Sequence, residues 1–264
     1  MKKFGRRFKA MAAVLVFVFL LTACGGNESA APEPSSPQPE AGGETPSEES
    51  SAASDILYIG MTNAPDSFNI INTTGVAGRW IQRFLYDSLL TMPTTTTFEP
   101  GLAESFESED NQNFTIKLNE DAVWTDGTPV TADDVVFTIN LIANPEVETS
   151  EGVDIAMLEG VTTAGKLEEG LTEVPNLVAV DDKTVTLKTK KPVDPAYIKE
   201  FLGFELGIVP KHIVEKIAIA DLSNSEFATK PTVTSGPYTL VEYQNNAHVE
   251  LAANPDYYKG EPKI

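Results

Sequence analysis

The feature that most constrains the fold is a change of composition at residue 55. Residues 25–54 are rich in Ser, Glu, Pro, Ala and Gly and contain no aromatic or large aliphatic side chain. Such a segment cannot bury enough apolar surface to offset the entropy lost on folding. We therefore expect a disordered spacer there. The folded part should begin at Asp55 and has roughly 200 residues, enough for one large domain or two small ones.

Charge and residue counts exclude several functions. The formal net charge of −20 argues against nucleic-acid binding, because phosphate contacts need clustered lysines and arginines. The single cysteine allows no internal disulfide, and with only two histidines it cannot form a Cys/His zinc cage. We predict no metal site, no cofactor and no nucleic-acid partner.

The N-terminus has the pattern of a secretory signal. A basic start is followed by an apolar run over residues 10–21, which is shorter than the 20 or so residues that a membrane-spanning helix needs. The run ends in Leu21-Thr22-Ala23-Cys24-Gly25-Gly26, which resembles the lipobox of bacterial lipoproteins. That resemblance implies removal of residues 1–23 and lipidation of Cys24. It places the protein outside the cytoplasm, on the outer face of the membrane or on the periplasmic side.

Short runs of apolar residues predict the elements of the folded part. Residues 56–60 form an apolar run typical of a buried strand, and Phe114, Ile116 and Leu118 alternate with polar residues as in a half-buried strand. Thr131 and Asp134 have the spacing of a capping box at the start of a helix, and we interpret Asp134 as a capping residue rather than a catalytic acid.

Two hairpins and a further helix are also predicted. The hairpins cover residues 177–189 and 238–251, each with a turn signal between two β-type runs. The helix starts at Pro210 and continues through Ile219. Strands and helices alternate irregularly, which indicates a mixed α/β or α+β protein.

The sequence contains no catalytic constellation that stands out. The histidines His212 and His248 fall in a helix start and a strand, there is no Gly-x-Ser-x-Gly elbow, and no phosphate-binding loop is present. A solvent-facing or hydrogen-bonded role is the expected one for each histidine. A carboxylate pair of the kind that glycosidases use stays open, since acids are scattered along the folded part and no pair stands out.

Several motifs, in their order, resemble the extracellular solute-binding proteins of peptide-type ABC importers, which include oligopeptide, dipeptide and nickel binders. The motifs are Pro100-Gly101-Leu102-Ala103-Glu104-Ser105-Phe106, Trp124-Thr125-Asp126-Gly127-Thr128-Pro129-Val130-Thr131-Ala132, Val209-Pro210-Lys211-His212, Ser235-Gly236-Pro237-Tyr238 and Asn254-Pro255-Asp256-Tyr257-Tyr258. The similarity runs from about Ile56 to Ile264.

The resemblance implies a periplasmic-binding-protein-like fold of two lobes, no enzymatic activity, and a monomer that works with permease subunits. Family members are usually about twice as long, so we expect only the N-terminal half here, without the second lobe and the returning C-terminal segment. Residues 55–87 and 193–264 would belong to the first ligand-binding lobe, and residues 88–192 would form a smaller extra domain. Residues 24–54 would be the lipidated cysteine and its linker.

The resemblance also places a ligand-contacting loop after the first strand. The candidate residues are Thr74, Gly75, Val76, Ala77 and Arg79. Their small side chains suit close approach to an extended ligand, although an ordinary flexible loop remains the alternative. Arg79 and Trp80 can reach the cleft or can instead cap and pack the helix that follows.

Two other classes of function stay open beside peptide capture for import. One is a secreted, lipid-anchored hydrolase that uses a carboxylate pair in a cleft. The other is a structural or adhesive surface lipoprotein. The identity of the ligand, a peptide or another small solute, is not specified by these residues.

Overall fold

The computed structural model describes residues 56–95 and 97–264. Six α-helices lie in this part: α1 (Val76–Leu85), α2 (Ala132–Ala143), α3 (Gly152–Ile155), α4 (Pro195–Ile198), α5 (Lys211–Val214) and α6 (Glu226–Thr229). The last four have a single turn each. A π-helix covers Lys199–Glu205 and a 3₁₀-helix covers Ile219–Asn224. Only α1 and α2 are long enough to bury a continuous apolar face.

Residues 56–95 and 97–264 contain eight strands, which form three antiparallel sheets. The strands are β1 (Leu90–Thr94), β2 (Thr97–Pro100), β3 (Ala103–Glu107), β4 (Asn113–Leu118), β5 (Val178–Asp181), β6 (Thr184–Lys188), β7 (Tyr238–Gln244) and β8 (His248–Ala253). Strands β1 and β2 pair with each other, as do β7 and β8, and the central sheet has the order β3-β4-β6-β5. The fold is therefore mixed α and β, as the irregular alternation of elements predicts.

Strand β4 lies inside the four-stranded sheet and confirms the predicted alternation. Phe114, Ile116 and Leu118 are buried, while Thr115 and Lys117 between them are exposed. Helix α2 packs against β5 and β6 and buries its apolar stripe there. Successive side chains of a strand point to opposite faces, so one face of this sheet contributes to the core and the other is solvated.

The start of α2 is stabilised as the sequence predicts. The Asp134 carboxylate accepts a hydrogen bond from the backbone N–H of Thr131 at 2.8 Å, the reach-back contact of a capping box. The buried Trp124 indole donates to the same carboxylate at 3.4 Å. Asp134 also accepts from the backbone N–H of Lys211 at 2.8 Å, so it joins three segments of the chain.

Both predicted hairpins are present. In the first, β5 and β6 are joined by a tight turn, and in the second, β7 and β8 are joined through Asn246, whose φ of 60° suits the turn. The second hairpin is held at its base by Asn254, which donates from its side chain to the carbonyl of Gly236 at 3.1 Å.

Two of the predicted elements are wrong. Residues 56–60 are not a strand, and the side chains of residues 56–59 are 54–84% exposed. An apolar run becomes a strand only when a neighbouring strand satisfies its backbone hydrogen bonds, and within the described residues none pairs with it. The helix predicted from Pro210 through Ile219 ends at Val214, and turns separate it from the 3₁₀-helix.

Among residues 56–95 and 97–264, no helix combines the length and apolar character that crossing a bilayer requires. The predicted signal, Cys24 and the linker lie outside the described residues. The central sheet and α2 fall within the range predicted for the extra domain, 88–192, and that division into domains stays a prediction.

Candidate functional site

The candidate loop leads directly into α1 and is held by Asp66. One Asp66 carboxylate oxygen, Oδ2, accepts from the backbone N–H of Thr74 at 3.0 Å, from its hydroxyl at 3.2 Å and from the backbone N–H of Gly75 at 2.9 Å. A carboxylate here also complements the positive end of the α1 dipole. Partial burial alone would raise the pKa of Asp66, but the hydrogen bonds from Thr74 and Gly75 outweigh it and hold that pKa below its usual value.

Gly75 and Gly78 have an internal role that the sequence does not predict. A Cβ on Gly75 would lie 2.7 Å from the Asp66 carboxylate, and one on Gly78 would lie 2.8 Å from the carbonyl oxygen of Ser67. The backbone at Gly75 is ordinary, with a φ of −81°. The two glycines therefore make room for Asp66 and Ser67, whereas the sequence predicts for Gly75 a close approach to a ligand.

The first two turns of α1 present apolar side chains to solvent. Val76 is 69% exposed and Trp80, one turn further along the same face, is 61% exposed. Ala77 faces the interior and is buried, so its side chain is not part of this surface. Trp80 does not pack into the core of the described part of the chain.

Arg79 lies beside this apolar surface in an ion pair. Its guanidinium donates to the Glu151 carboxylate at 2.7 Å and to the hydroxyl of Ser150 at 2.9 Å. The Glu151 side chain is 7% exposed and that of Arg79 is 40% exposed. Glu151 is thus a buried partner, while part of the Arg79 side chain is accessible.

A second ion pair extends the polar part of the site. Arg83, one turn after Arg79, pairs with Glu205 at 2.9 Å and lies 4.4 Å above the centre of the Phe204 ring. The two pairs border a cavity of about 50 Å³. Its lining includes Arg79, Gln82, Arg83, Tyr86, Glu151 and Glu205.

Asp154 lies next to the residues of these two ion pairs and is buried. Burial raises its pKa to about 8, helped by a hydrogen bond with Glu151 and by the charges of Glu151 and Glu205, and opposed by Arg79. A carboxyl group with that pKa is mostly protonated at neutral pH. The negative charges of Glu151 and Glu205 disfavour ionisation of Asp154, and the positive charge of Arg79 only partly offsets them.

Glu151, Asp154 and Glu205, the three acids near Arg79 and Arg83, could not be predicted from local sequence. Asp66 follows a proline in a Pro-Asp-Ser turn signal, which could have indicated a capping residue. Glu151, Asp154 and Glu205 reach the start of α1 from segments more than 70 residues away, and no spacing rule links them to it. Cys24, the predicted lipidation site, lies outside the described residues.

The histidines take polar structural contacts. His212 Nε2 lies 2.8 Å from an Asp126 carboxylate oxygen, which confirms the hydrogen-bonded role predicted for it. His248 Nε2 lies 3.5 Å from a Glu242 carboxylate oxygen on the partner strand of its hairpin. In the described part of the chain, neither contact forms the nucleophile and base arrangement of a hydrolase.

Known proteins similar to this chain are oligopeptide-binding proteins. The oligopeptide-binding protein AppA of Bacillus subtilis is 28% identical over 267 residues, which covers 100% of this chain and 44% of AppA. The periplasmic oligopeptide-binding protein OppA of Escherichia coli is 30% identical over 188 residues, which covers 70% of this chain and 33% of OppA. The chain thus spans less than half the length of these relatives.

Solved structures show the same fold. The structure of Bacillus subtilis AppA in complex with a nonapeptide matches with a TM-score of 0.65 and 27% identity, over 77% of this chain and 37% of AppA. Haemophilus influenzae OppA in complex with the peptide RPPGFSPFR matches with a TM-score of 0.64 and 28% identity, over 75% of this chain and 38% of OppA. The predicted periplasmic-binding-protein-like fold is confirmed for a partial span of those structures.

The family is identified by a direct match. Residues 97–264 match the model of the bacterial extracellular solute-binding proteins, family 5 middle region. This is a family of binding proteins rather than of enzymes, which agrees with the prediction that the chain is not an enzyme and leaves the hydrolase alternative without support. The chain belongs to the bacterial extracellular solute-binding proteins of family 5.

Proposed function

We propose that this chain is part of the solute-binding component of an ABC importer and that it binds peptides outside the cytoplasm. The single observation that carries the site is the solvent-exposed pair Val76 and Trp80 beside the Arg79–Glu151 ion pair. We name residues 74–80 the α1 wall. The proposal assigns contact with the solute to this wall.

The α1 wall combines two kinds of contact that an extended peptide needs. Val76 and Trp80 offer apolar surface to a peptide side chain, and an indole contributes a large contact area with little loss of conformational freedom. Arg79 offers guanidinium N–H donors to a peptide carbonyl or carboxylate. The backbone N–H groups of Thr74 and Gly75 are already bonded to Asp66, so side chains from Val76 onward make the contacts proposed here.

The similar proteins support a peptide as the solute. AppA is known with a nonapeptide and the Haemophilus OppA with a nine-residue peptide, and both share this fold at more than 25% identity. The chain spans less than half of their length. We therefore also propose, rather than observe, that a second wall completes a two-lobed cleft and that the protein contacts permease subunits. Closure of two lobes around the peptide would exclude water and add contacts from both sides.

We also propose that Cys24 carries a lipid anchor and that residues 25–54 act as a spacer. The support is the position of the only cysteine, directly after an apolar run and two small residues. A spacer of this length spans about 30 Å as a flexible coil, which would hold the folded part clear of the lipid headgroups. Labelling cells with a radioactive fatty acid tests the anchor: the wild-type protein should be labelled and the Cys24→Ser variant should not.

Native mass spectrometry tests the bound solute. The protein, purified from its own cells without refolding, should carry noncovalent adducts with the masses and fragment spectra of peptides. Trp80→Ala should weaken retention of the same peptides by about tenfold, equal to about 1.4 kcal/mol, while Tyr197→Ala, an exposed aromatic residue outside the α1 wall, should not. A protein that carries no peptide, or equal loss in both variants, would contradict the proposal.

A further inference from the structure

The outward face of the β7–β8 hairpin brings together three potential metal ligands. In the register of the hairpin, Glu242 lies opposite Glu250, and Gln244 lies opposite His248. Side chains directly opposite on one face of an antiparallel pair have Cβ atoms about 5 Å apart. Glu242, His248 and Glu250 are all exposed, and one donor atom of each lies within 4.8 Å of those of the other two.

A break in strand register sets which side chains face outward. The pairing shifts between Leu240 and Glu242, so Val241 is an extra residue on β7. As a result, Leu240 and Tyr243 both pack toward the core, and Tyr243 contacts Phe68 edge-on with ring centres 5.2 Å apart. Glu242 is thereby placed on the solvent face, together with the acid and the histidine of β8.

Among the described residues, two like charges face each other at this place without a lysine or arginine partner. Glutamates directly opposite in a sheet repel each other and destabilise the pair. Within the described residues, neither Glu242 nor Glu250 has a lysine or arginine salt-bridge partner, and the nearest basic group to Glu242 is His248 Nε2 at 3.5 Å. A divalent cation would relieve this repulsion.

The Glu242 carboxylate is already oriented for such an ion. The Gln244 side-chain amide donates to Glu242 Oε1 at 2.8 Å, which leaves Oε2 directed at His248. A neighbour that orients a ligating carboxylate is a common feature of metal sites in proteins.

We propose that Glu242, His248 and Glu250 form a binding site for a divalent transition-metal ion such as Zn²⁺. A tetrahedral zinc ion with bonds of 2.0–2.2 Å to nitrogen and oxygen keeps its ligand atoms about 3.4 Å apart. The separation of 3.5 Å between His248 and Glu242 meets this requirement. The donor atom of Glu250 lies within 4.8 Å of both, and rotation of this exposed side chain can shorten that distance. One imidazole and two carboxylates are a donor set that suits zinc better than the all-oxygen ions Ca²⁺ and Mg²⁺.

The site is separate from the α1 wall and does not depend on the proposed peptide function. Three protein ligands leave a fourth position of the ion open to water or to a donor from another molecule. The ion would also join β7 to β8 across the hairpin, so bound metal should stabilise the folded state by mass action.

Calorimetric titration with zinc chloride tests the proposal. The full chain is used in a Cys24→Ser background, so that its only thiol does not compete for the ion. Binding of one Zn²⁺ per chain is expected. His248→Ala and Glu250→Gln should each weaken binding by at least tenfold, whereas His212→Ala and Glu99→Gln, which remove the other histidine and an exposed acid elsewhere, should leave it unchanged.

Nuclear magnetic resonance of the imidazole rings gives a second readout that does not need a ligand variant. The sequence has two histidines, and Zn²⁺ should shift the ring resonances of His248 and not those of His212. Gln244→Ala should weaken binding by about tenfold without removing a ligand. Absence of binding at millimolar zinc, binding that His248→Ala does not weaken, or equal shifts of both histidines would overturn the proposal.

Discussion

At the scale of single residues, Asp133 and Asp134 are adjacent in the sequence but differ in what they contact. Asp134 is buried and accepts hydrogen bonds from Thr131, Trp124 and Lys211, while Asp133 is exposed and pairs with the Lys211 ammonium at 3.1 Å. Asp134→Ala leaves several buried donors without an acceptor and should lower the free energy of unfolding by about 2–4 kcal/mol. Asp133→Ala removes a surface ion pair and should cost less than about 1 kcal/mol.

Urea unfolding of the two variants measures this difference. Equal losses of unfolding free energy in the two variants would contradict the contribution assigned to the buried contacts of Asp134. The sequence predicts the cap from the spacing of Thr131 and Asp134, because a capping box is a local pattern. It does not predict the contacts with Trp124 and Lys211, because those depend on how distant segments pack.

The raised pKa of Asp154 makes the free energy of unfolding depend on pH. Its pKa is raised to about 8 in the folded state, from a value of 3.8 for the free group. Between these two values the folded state binds a proton that the unfolded state lacks, so the folded state loses stability as the pH rises through this window. Asp154→Asn removes the ionisable group. We expect the variant to gain stability over the wild type as the pH increases, by at most about 1.4 kcal/mol per pH unit.

The measurement for Asp154 is urea unfolding of the wild type and of Asp154→Asn at pH 5 and pH 8. The expected outcome is a difference between the two proteins that favours the variant more at pH 8 than at pH 5. Charged groups that face Asp154 are Glu151, Glu205 and Arg79, and they are unchanged in the variant. A difference that is the same at both pH values would contradict the raised pKa.

At the scale of elements, the C-terminal end of α2 depends on one distant lysine. The Lys166 ammonium donates to the backbone carbonyls of Ile142 and Asn144 at 3.0 Å each, and also to that of Val147. The Ile142 carbonyl belongs to the last turn of α2, where carbonyls lack a partner within the helix, and Asn144 and Val147 follow just after it. A positive charge also complements that end of the helix dipole. Burial lowers the pKa of Lys166.

Lys166→Met should lower the free energy of unfolding by about 1–2 kcal/mol, because it removes hydrogen bonds from partly buried carbonyls and keeps the apolar stem of the side chain. Lys216→Met is the matched control, since Lys216 is exposed, and we expect a change below about 0.5 kcal/mol. Thermal unfolding of both variants measures the effect. If the two changes were equal, Lys166 would have no capping role.

The elements that the sequence predicts correctly are those with local causes. The alternation of Phe114, Ile116 and Leu118, the capping box and both hairpins depend on residues close together in the chain. The incorrect strand at residues 56–60 depended on a partner strand, which an apolar run alone does not supply. Lys166 was missed for a similar reason, since it caps a helix that ends 23 residues earlier in the chain.

At the scale of the whole molecule, the motifs predict the family and the fold, and they predict the site less completely. The family match and the structural matches confirm the first two. The candidate residues Thr74 to Arg79 do lie together at the start of α1, but Gly75 and Ala77 serve the interior, and the acids that hold Arg79 and Arg83 come from distant segments. The chain spans 44% of the length of AppA and 33% of that of OppA. A second wall of the cleft, facing the α1 wall, is therefore proposed and is not described by this structure.

Photo-cross-linking with a library of peptides that carry a benzoylphenylalanine tests the central claim most directly. The intact protein is illuminated with the library, digested, and mapped by tandem mass spectrometry. The account predicts cross-links within residues 74–80, with Val76 and Trp80 foremost because they are the exposed apolar side chains of the wall. Unlabelled peptides should compete for them. Specific, competed cross-links that all lie elsewhere in the protein would contradict the assignment of the α1 wall as the solute-contacting surface.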